Sequence, residues 1–249
     1  MKERPTFPAR LDFSGAKPAL KRPEASAVRP AFNAIPASSV RIQTAISAMD
    51  SSSVRARMVT RLMEQGLSDA AVMSAMRVVE RHRFVDSALG NQAYEDTSLP
   101  IGLGQTISKP SVVSRMAELL RNGLAGKLGR VLEIGTGCGY QAAVLSHLAV
   151  EVYSIERLRG LHDRARENLR YFRVPNLHLL FGDGMLGYAK GAPYAGIIAA
   201  AGGEAVPQAW IDQLAVGGRL VAPVSSSGST KNQALMVIDK TAQGIRQTM

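Results

Sequence analysis

Disulfide bonds and metal sites are the first features that this sequence lacks. It contains a single cysteine, Cys138, which excludes a disulfide within the chain and fits a reducing compartment. Its four histidines, at 82, 147, 162 and 178, show none of the short spacings that structural zinc sites use. We therefore predict no metal site, and we interpret Cys138 as a small loop residue rather than as a nucleophile.

Long apolar runs are also missing. No stretch approaches the ~20 residues that cross a bilayer, and the N-terminus has no apolar core of a secretion signal. With 46% hydrophobic residues, the chain can still bury one sizeable core. We expect a cytoplasmic protein that does not associate with membranes.

Aromatic residues make up only 5% of the chain, although its net charge is +10. Such a charge attracts polyanions, but no basic stripe carries the aromatic residues on which bases stack. Residues 1–50 hold eight basic and four acidic residues, a net of +4, which leaves +6 for the rest. We expect no specific nucleic-acid partner, while a positive surface would equally suit substrates that carry carboxylates.

Residues 1–50 contain half of the prolines and no sustained periodicity. We predict that they form a disordered, basic, Pro/Ala-rich extension and that residues 51–249 fold. Apolar residues at helical spacing predict one helix from about Ser53 to Gly66 and a second one, with Ser68 as its N-cap, to about Val79. Pro110 suits the first turn of a third helix.

From Arg130 onwards, strand patterns alternate with helix patterns. This alternation predicts an α/β fold with a doubly wound, mostly parallel sheet, preceded by small N-terminal helices. Ligands of such sheets bind beyond the carboxyl ends of the strands. The predicted strands are 131–134, 151–155, 177–181, 195–200 and 218–224, and the predicted helices are 140–149, 158–171 and 207–215.

A glycine-rich turn follows the first predicted strand, with glycines at 135, 137 and 139. Glycine allows backbone N–H groups to approach a ligand closely. Tyr140 stands where a dinucleotide-binding fingerprint starting at Gly135 would need its third glycine. With Glu133 two residues before the first glycine, the pattern favours another kind of nucleoside-binding loop. A tight turn without a ligand is the alternative.

Two acidic residues follow later strands of the predicted sheet. Glu156 lies roughly twenty residues beyond the glycines, where a carboxylate meets ribose hydroxyls. Asp183, between Gly182 and Gly184, is placed to accept a hydrogen bond from an adenine amino group. The alternatives are a solvated acid at a strand end for Glu156 and a plain turn residue for Asp183.

Several segments resemble known methyltransferases. The first glycine motif resembles that of S-adenosylmethionine-dependent methyltransferases, and four segments together resemble the protein-L-isoaspartate O-methyltransferase family. Segments 81–85, 93–94 and 99–102 add to a resemblance that runs from about Val54 to the C-terminus. Its most specific part is the Gln-Thr-Ile-Ser-x-Pro loop. The four segments are Gly104–Pro110, Val131–Val144, Val152–Arg157 and Gly182–Gly184.

The resemblance implies a class I methyltransferase (Rossmann-like) fold. Residues 51–125 would form the N-terminal helices and active-site loop, and residues 126–249 the cofactor-binding core. S-adenosylmethionine would donate a methyl group, without a metal, to the α-carboxylate of L-isoaspartyl residues in damaged proteins and peptides. The ester would close to a succinimide and begin repair. Isoaspartyl-containing proteins and peptides would be the partners, and we expect a monomer.

The family's functional residues carry over to matching positions of this chain. Ser108 is the predicted catalytic residue, whose hydroxyl orients the carboxylate, and an N-cap of the third helix is its alternative role. Gln233 lies in a region that approaches the cofactor in the family. The predicted cofactor-binding residues are Thr106, Ile107, Ser108, Glu133, Gly135, Thr136, Gly137, Gly139, Glu156, Gly182, Asp183 and Gly184.

The sequence departs from the family pattern at three positions and at its end. Lys109 stands where a neutral residue is common, Cys138 replaces a common serine, and Ala195 replaces an acid. The chain ends at Met249, before a Val-Arg-Phe-Val-Pro-Leu-like segment, so we expect the core to lack its last strand.

Two other functions remain open. One is methylation of nucleic acid or of another small acceptor, although residues 199–204 lack the Asn/Asp-Pro-Pro-aromatic motif that serves a flipped base. The other is a catalytically impaired protein that only binds the cofactor.

Overall fold

Three helices and a short hairpin precede the main sheet. The computed structural model describes residues 37–203, 205–225 and 233–249, and the side chains of 51–203, 205–224 and 234–249. The helices are α1 (Ala37–Glu64), α2 (Ala70–Val78) and α3 (Pro110–Arg121). Between α2 and α3 lie two 3₁₀ turns, Arg81–Phe84 and Ser87–Gln92, and an antiparallel hairpin of β1 (Leu99–Gly102) and β2 (Gln105–Ile107).

Helix α1 begins at Ala37, well before the predicted start near Ser53. The helix therefore overlaps the predicted extension, and residues 1–36 of that extension lie outside the described residues. Residues 42–249 form one compact unit. The described part of the chain contains no helix with the length and apolarity of a membrane span.

The N-cap of α2 is Asp69, so the prediction of Ser68 is wrong. One carboxylate oxygen of Asp69 accepts hydrogen bonds from the backbone N–H groups of Ala71 and Val72, at 2.9 and 3.0 Å. An ionised carboxylate is a stronger acceptor than a hydroxyl for these unpaired amides. Ser68 instead donates its hydroxyl and its backbone N–H to Glu118 of α3.

The alternation of strands and helices after Arg130 produces a seven-stranded sheet, which confirms the predicted fold class. Its spatial order is β5-β4-β3-β6-β7-β8-β9, with the first five strands of that order parallel and the last two antiparallel. The strands are β3 (Leu128–Ile134), β4 (Ala149–Glu156), β5 (Leu177–Phe181), β6 (Tyr194–Ala199), β7 (Leu214–Ser225), β8 (Gln233–Thr241) and β9 (Gly244–Thr248). Three helices connect them: α4 (Tyr140–Leu148), α5 (Arg159–Arg170) and α6 (Gln208–Gln213).

The central strand β3 is buried on both faces. Val131 packs in a cluster with Met116 of α3, while its neighbour Leu132 packs in a cluster with Trp210 of α6. Successive residues of a strand point to opposite faces, so a continuous apolar run is the pattern expected of a parallel strand covered on both sides. Burying each such side chain contributes roughly 1.5–3 kcal/mol.

The register of the sheet brings three strand ends to one level. Ile134 of β3 pairs with Ile155 of β4 on one side and with Ala199 of β6 on the other. The chain leaves β3 for β4 and returns to the opposite side of β3 with β6, so the strand order reverses here. Such a switch point leaves a crevice beyond the carboxyl ends of the strands.

The N-terminal helices belong to the same core as the helix after the glycine turn. Val59 of α1 and Met76 of α2 lie in one buried cluster with Tyr140 and Val144 of α4. Phe84 of the first 3₁₀ turn joins them, with its ring 5.5 Å from that of Tyr140. This packing places the hairpin and the start of α3 beside the crevice.

The antiparallel strands β8 and β9 close one side of the sheet. An ion pair ties β7 to β8, because Arg219 donates two hydrogen bonds to Asp239, at 2.6 and 2.8 Å. Strand β9 has five residues, all of them exposed, and ends at Thr248. The expectation that the core lacks the last strand of the family stays a prediction.

Candidate active site

A cavity of about 890 Å³ lies beyond the carboxyl ends of the parallel strands. Its volume is within the range of ~300–1,000 Å³ that is typical of small-molecule sites. One side is formed by the turns after β3, β4 and β5, and the other by β2 and the start of α3. Of the predicted site residues, the cavity is lined by Thr106, Ile107, Ser108, Gly135, Thr136, Gly137, Glu156, Asp183 and Gly184.

The three glycines of the turn all have left-handed backbone conformations, with φ of 90°, 57° and 92°. Their N–H groups are engaged within the protein: Gly135 donates to the carbonyl of Ile155, Gly137 to Glu156 and Gly139 to the carbonyl of Thr136. These N–H groups are therefore not free to bind a ligand, and the main contribution of the turn is to leave space for one. This differs from the expectation that the glycine amides reach the ligand.

Two of these glycines permit close packing. A Cβ on Gly137 would lie 3.3 Å from Ile101 of the hairpin, and one on Gly139 would lie 2.9 Å from Leu169 of α5. Gly137 thus allows the hairpin to approach the turn. Gly139 does not line the cavity, so its packing against α5 accounts for it better than the predicted ligand contact.

Glu156 fastens the glycine turn to the end of β4. One carboxylate oxygen accepts from the N–H of Gly137 at 2.8 Å, and the other accepts from the N–H of Leu158 at 2.9 Å. The side chain is buried, yet it lines the cavity. Each carboxylate oxygen has two acceptor positions, so both retain capacity for the hydroxyl groups of a ligand.

Glu133 lies in the core beneath the turn. It is fully buried and does not line the cavity, so the predicted direct contact with a cofactor does not fit this geometry. One of its oxygens accepts from the hydroxyl of Ser154 at 2.5 Å, and Ser154 shares a 2.6 Å hydrogen bond with Thr136. Burial raises the pKa of Glu133 to about 8, so its carboxyl group is protonated at neutral pH.

Two buried polar atoms near the cavity have no hydrogen-bond partner among the described residues. They are Oε1 of Glu133 and Nε2 of Gln141. Gln141, in the first turn of α4, lines the cavity. The side chain of Gln141 also acts against the rise in the pKa of Glu133, so these two groups lie close together without a well-formed hydrogen bond.

Asp183 both caps a turn and lines the cavity. Its side chain accepts from the N–H of Met185 at 3.0 Å and caps a 3₁₀ turn at Gly184–Leu186, as a plain turn residue does. It is also exposed in the lining of the cavity. Gly184 packs under Ile134, where a Cβ would lie 2.6 Å away, whereas Gly182 does not line the cavity.

Ser108 lies half-buried in the wall opposite the glycine turn. The N-cap of α3 is Lys109, without a side-chain capping bond, so the alternative role of Ser108 as the N-cap is wrong. The Ser108 hydroxyl makes no hydrogen bond within the described part of the chain. Lys109 is exposed and does not line the cavity, so the predicted extra charge beside the substrate does not fit this position.

Side chains from distant segments hold this wall in place. Arg81 donates to the carbonyl of Ser108 at 2.7 Å, and Arg164 of α5 donates to the carbonyl of Ile101 at 2.7 Å. Asp96 accepts from the N–H of Ser111 at 2.9 Å. The wall that carries Ser108, here called the acceptor wall after its predicted role, therefore depends on contacts between residues that are far apart in sequence.

A family model described as protein-L-isoaspartate(D-aspartate) O-methyltransferase matches residues 53–249. The chain belongs to this family. Proteins named protein-L-isoaspartate O-methyltransferase from two bacteria are similar to it. The one from Methylibium petroleiphilum is 58% identical over 247 residues, which cover 96% of this chain and 90% of the relative. The one from Leptothrix cholodnii is 59% identical and covers 84% of this chain and 76% of the relative.

Solved structures of the family share the fold. One protein-L-isoaspartate O-methyltransferase superposes with a TM-score of 0.67 at 29% identity, covering 78% of this chain and 64% of that chain. A putative family member from Plasmodium falciparum, in complex with S-adenosyl-L-homocysteine, superposes with the same TM-score at 22% identity. The aligned region covers 78% of this chain and 92% of that chain. The predicted resemblance to the protein-L-isoaspartate O-methyltransferase family is therefore confirmed.

Sequence reasoning missed several lining residues of this family member. Trp210 was unassigned, although it is the only tryptophan and its Nε1 donates to the carbonyl of Gly184 at 2.8 Å. Most of the missed residues come from turns and loops, while Trp210 lies in α6 and Pro223 in β7. The missed lining residues include Arg157, Leu158, Met185, Val206, Trp210 and Pro223. The side chain of Gln233, which was weighed as a neighbour of the cofactor, lies outside the described residues.

Cys138 and Ala195, the remaining departures from the family pattern, both have positions that the structure describes. Cys138 is buried, and its burial raises the pKa of the thiol to about 11, so the thiol is protonated at neutral pH and a poor nucleophile. Ala195 is the second residue of β6 and does not line the cavity. Within the described residues, no group of three or more metal-binding side chains occurs, and the absence of a metal stays a prediction.

Proposed function

We propose that this chain transfers the methyl group of S-adenosylmethionine to the α-carboxylate of L-isoaspartyl residues in damaged proteins and peptides. Membership of the family supports this activity. The single observation that carries the proposal is that Ser108, whose hydroxyl has no partner among the described residues, lines the same cavity as Glu156 and the glycine turn. One cavity thus offers both a nucleoside site and a hydroxyl group that can donate a hydrogen bond to the methyl-accepting carboxylate.

The residues present fit S-adenosylmethionine. Gln141, Gly135 and Gly137 line one cavity with Glu156 and Asp183, and neither of the two glycines places a side chain in it. Glu156 would accept hydrogen bonds from the ribose hydroxyls, and Asp183 from the adenine amino group. When bound, this group supplies a methyl on a positively charged sulfur.

The chain needs little acid–base chemistry for this reaction. The acceptor carboxylate has a pKa of about 4 and is ionised at neutral pH, so it can attack without a general base. The Ser108 hydroxyl donates a hydrogen bond to one carboxylate oxygen and leaves the other free to attack. Holding the nucleophile in line with the methyl carbon supplies the main rate effect.

The surroundings of Ser108 also favour an anion. Helix α3 starts at Pro110 and runs for 12 residues, and the N-terminal end of a helix carries a partial positive charge. The buried side chains of Ile107, Val113 and Tyr140 line the same cavity and exclude water from the nucleophile. In the product, the isopeptide nitrogen then attacks the ester carbonyl and expels methanol to form a succinimide, and hydrolysis of that ring restores part of the normal aspartyl linkage.

A transfer assay tests the proposal. The purified chain is given S-adenosylmethionine labelled on its methyl group together with an isoaspartyl peptide, the matched aspartyl peptide or RNA. We expect label only in the isoaspartyl peptide. Transfer to RNA would support nucleic-acid methylation instead. No transfer to any acceptor, with S-adenosylhomocysteine still bound in calorimetry, would support a catalytically impaired cofactor-binding protein.

We further propose that the protein acts as a cytoplasmic monomer without a metal. Native mass measurement tests the monomer, since a mass near 26.6 kDa is expected for this chain. Activity that survives dialysis against a chelator is expected if no metal takes part.

A further inference from the structure

Arg81 is a buried cation without an acidic partner. Its side chain has no exposed surface, and it forms no ion pair with the described residues. Burial lowers the pKa of its guanidinium, but an arginine stays charged in proteins. Burying an unpaired charge is expensive, so the position of Arg81 calls for a compensating role.

The contacts of Arg81 join segments that are separate in sequence. Its Nε donates to the carbonyl of Ala93 at 2.8 Å, and its Nη2 donates to the carbonyl of Ser108 at 2.7 Å and to that of Thr97 at 3.4 Å. The guanidinium carbon also lies 4.8 Å from the centre of the Tyr140 ring. Tyr140 is the first residue of α4, directly after the glycine turn. One side chain therefore touches both the acceptor wall and the end of the cofactor turn.

The carbonyl of Ser108 depends on this contact. It lies before the first turn of α3, where Val113 donates to the carbonyl of Lys109 instead. Arg81 supplies a donor for this half-buried carbonyl, which has no donor among the described residues of α3. Because the backbone at Ser108 determines where its hydroxyl lies, a shift of the carbonyl moves the hydroxyl as well.

We propose that Arg81 is a positioning residue that holds Ser108 at a set distance from the cofactor turn. This inference rests on the proposed function. A planar guanidinium with several fixed donors can bind two carbonyl groups at once, whereas a lysine offers one point charge.

Kinetics of variants test this role. Arg81→Met should lower kcat by about 100-fold and Arg81→Lys by about tenfold, because a misplacement of ~1 Å can cost about 100-fold. The KM for S-adenosylmethionine and the Kd of S-adenosylhomocysteine should change less than about threefold. The matched control is Arg83→Lys in the same 3₁₀ turn, where Arg83 pairs with Glu80 and lies over the exposed ring of Tyr171. Its kcat should stay within about twofold.

A double-mutant cycle separates positioning from stability. If Arg81 acts through Ser108, Arg81→Lys should lower kcat by less than about threefold when Ser108 is already alanine. An equal loss in both backgrounds, or a lowered Tm with an unchanged kcat, would overturn the proposal. Arg81→Lys keeps the charge, so it serves if Arg81→Met does not fold.

Hydrogen exchange gives a readout that does not depend on activity. The amides of residues 105–109 should exchange faster in Arg81→Lys than in Arg83→Lys, and equal exchange would overturn the inference. If the wild-type chain methylates no isoaspartyl peptide, the proposed function fails. The exchange comparison still tests the role of Arg81 in that case.

Discussion

On the cofactor side of the cavity, the site residues directly follow parallel strands, whereas on the acceptor side Ser108 follows a small hairpin outside the main sheet. The cofactor side is held by backbone groups of neighbouring strands, such as the N–H of Gly135 and the carbonyl of Ile155 at 2.9 Å. The acceptor side is held by side chains from distant segments, among them Arg81 and Arg164.

Because of this difference, substitutions on the two sides should have different effects. Changes on the cofactor side act on a framework that the sheet keeps in place, so they should alter ligand affinity more than geometry. Changes on the acceptor side act on a wall held by a few side chains, so they should alter turnover more than affinity. Variants on each side can therefore test whether binding and chemistry are divided in this way.

The largest effect is expected from Ser108→Ala on the acceptor side. Loss of the hydroxyl removes a preorganised donor to the acceptor carboxylate, and kcat should fall roughly 100- to 1,000-fold. The affinity for S-adenosylhomocysteine, measured by calorimetry, should stay within about twofold. Ser111→Ala, in the first turn of α3 and outside the lining, serves as the control. Equal losses of turnover and affinity would break the proposed division.

A smaller effect is expected from Glu156→Ala on the cofactor side. The change removes an acceptor for the ribose hydroxyls and two bonds that hold the turn. Hydrogen bonds to a charged group contribute roughly 1.5–3 kcal/mol, so the Kd of S-adenosylhomocysteine should rise roughly 10- to 100-fold. Glu151→Gln, at the other end of β4, is the control. Unchanged affinity in calorimetry would remove Glu156 from the cofactor site.

The smallest effect on ligand binding is expected from Glu133→Gln beneath the turn, where the main change is in stability. The pKa of Glu133 is raised from 4.5 to about 8 by burial, so between these values the folded protein holds a proton that the unfolded chain releases. Its contribution to stability is complete below pH 4.5 and is lost as the pH rises to about 8, by roughly 1.4 kcal/mol per pH unit at most. The amide mimics the protonated acid and removes this dependence.

Thermal unfolding between pH 5 and 8 measures the effect of Glu133→Gln. The Tm of the variant should gain several degrees relative to wild type across this range, while the affinity for S-adenosylhomocysteine changes less than about threefold. Glu167→Gln, at an exposed position on α5, should show no such gain. Parallel curves for Glu133→Gln and wild type would contradict the raised pKa.

The two sides also differ in how far they could be predicted. Glu156 and Asp183 were identified because the ends of parallel strands meet at one edge of a sheet, which follows from strand order and spacing. Gly139 and Glu133 were also predicted to bind the cofactor because they belong to the glycine motif, but the structure places both outside the lining. Neighbours in sequence share a loop, and only the direction of each side chain decides whether it reaches the cavity.

Ser108 was identified through the resemblance of its loop to a family, because no local pattern links that loop to the sheet. The cap of α2 shows a similar limit at short range. Ser68 and Asp69 are both good capping residues, and contact with Glu118, from a distant helix, engages Ser68 elsewhere.

Local patterns in the chain were sufficient for the α/β fold and for placing Glu156 and Asp183 at the ends of strands, because strand alternation and glycine turns depend on residues close in sequence. The tertiary structure alone assigned the core position of Glu133, the packing role of Gly139 and the contact between Arg81 and Ser108. These depend on which distant backbone and side-chain groups come into contact in the folded chain, and no short-range sequence pattern specifies those contacts.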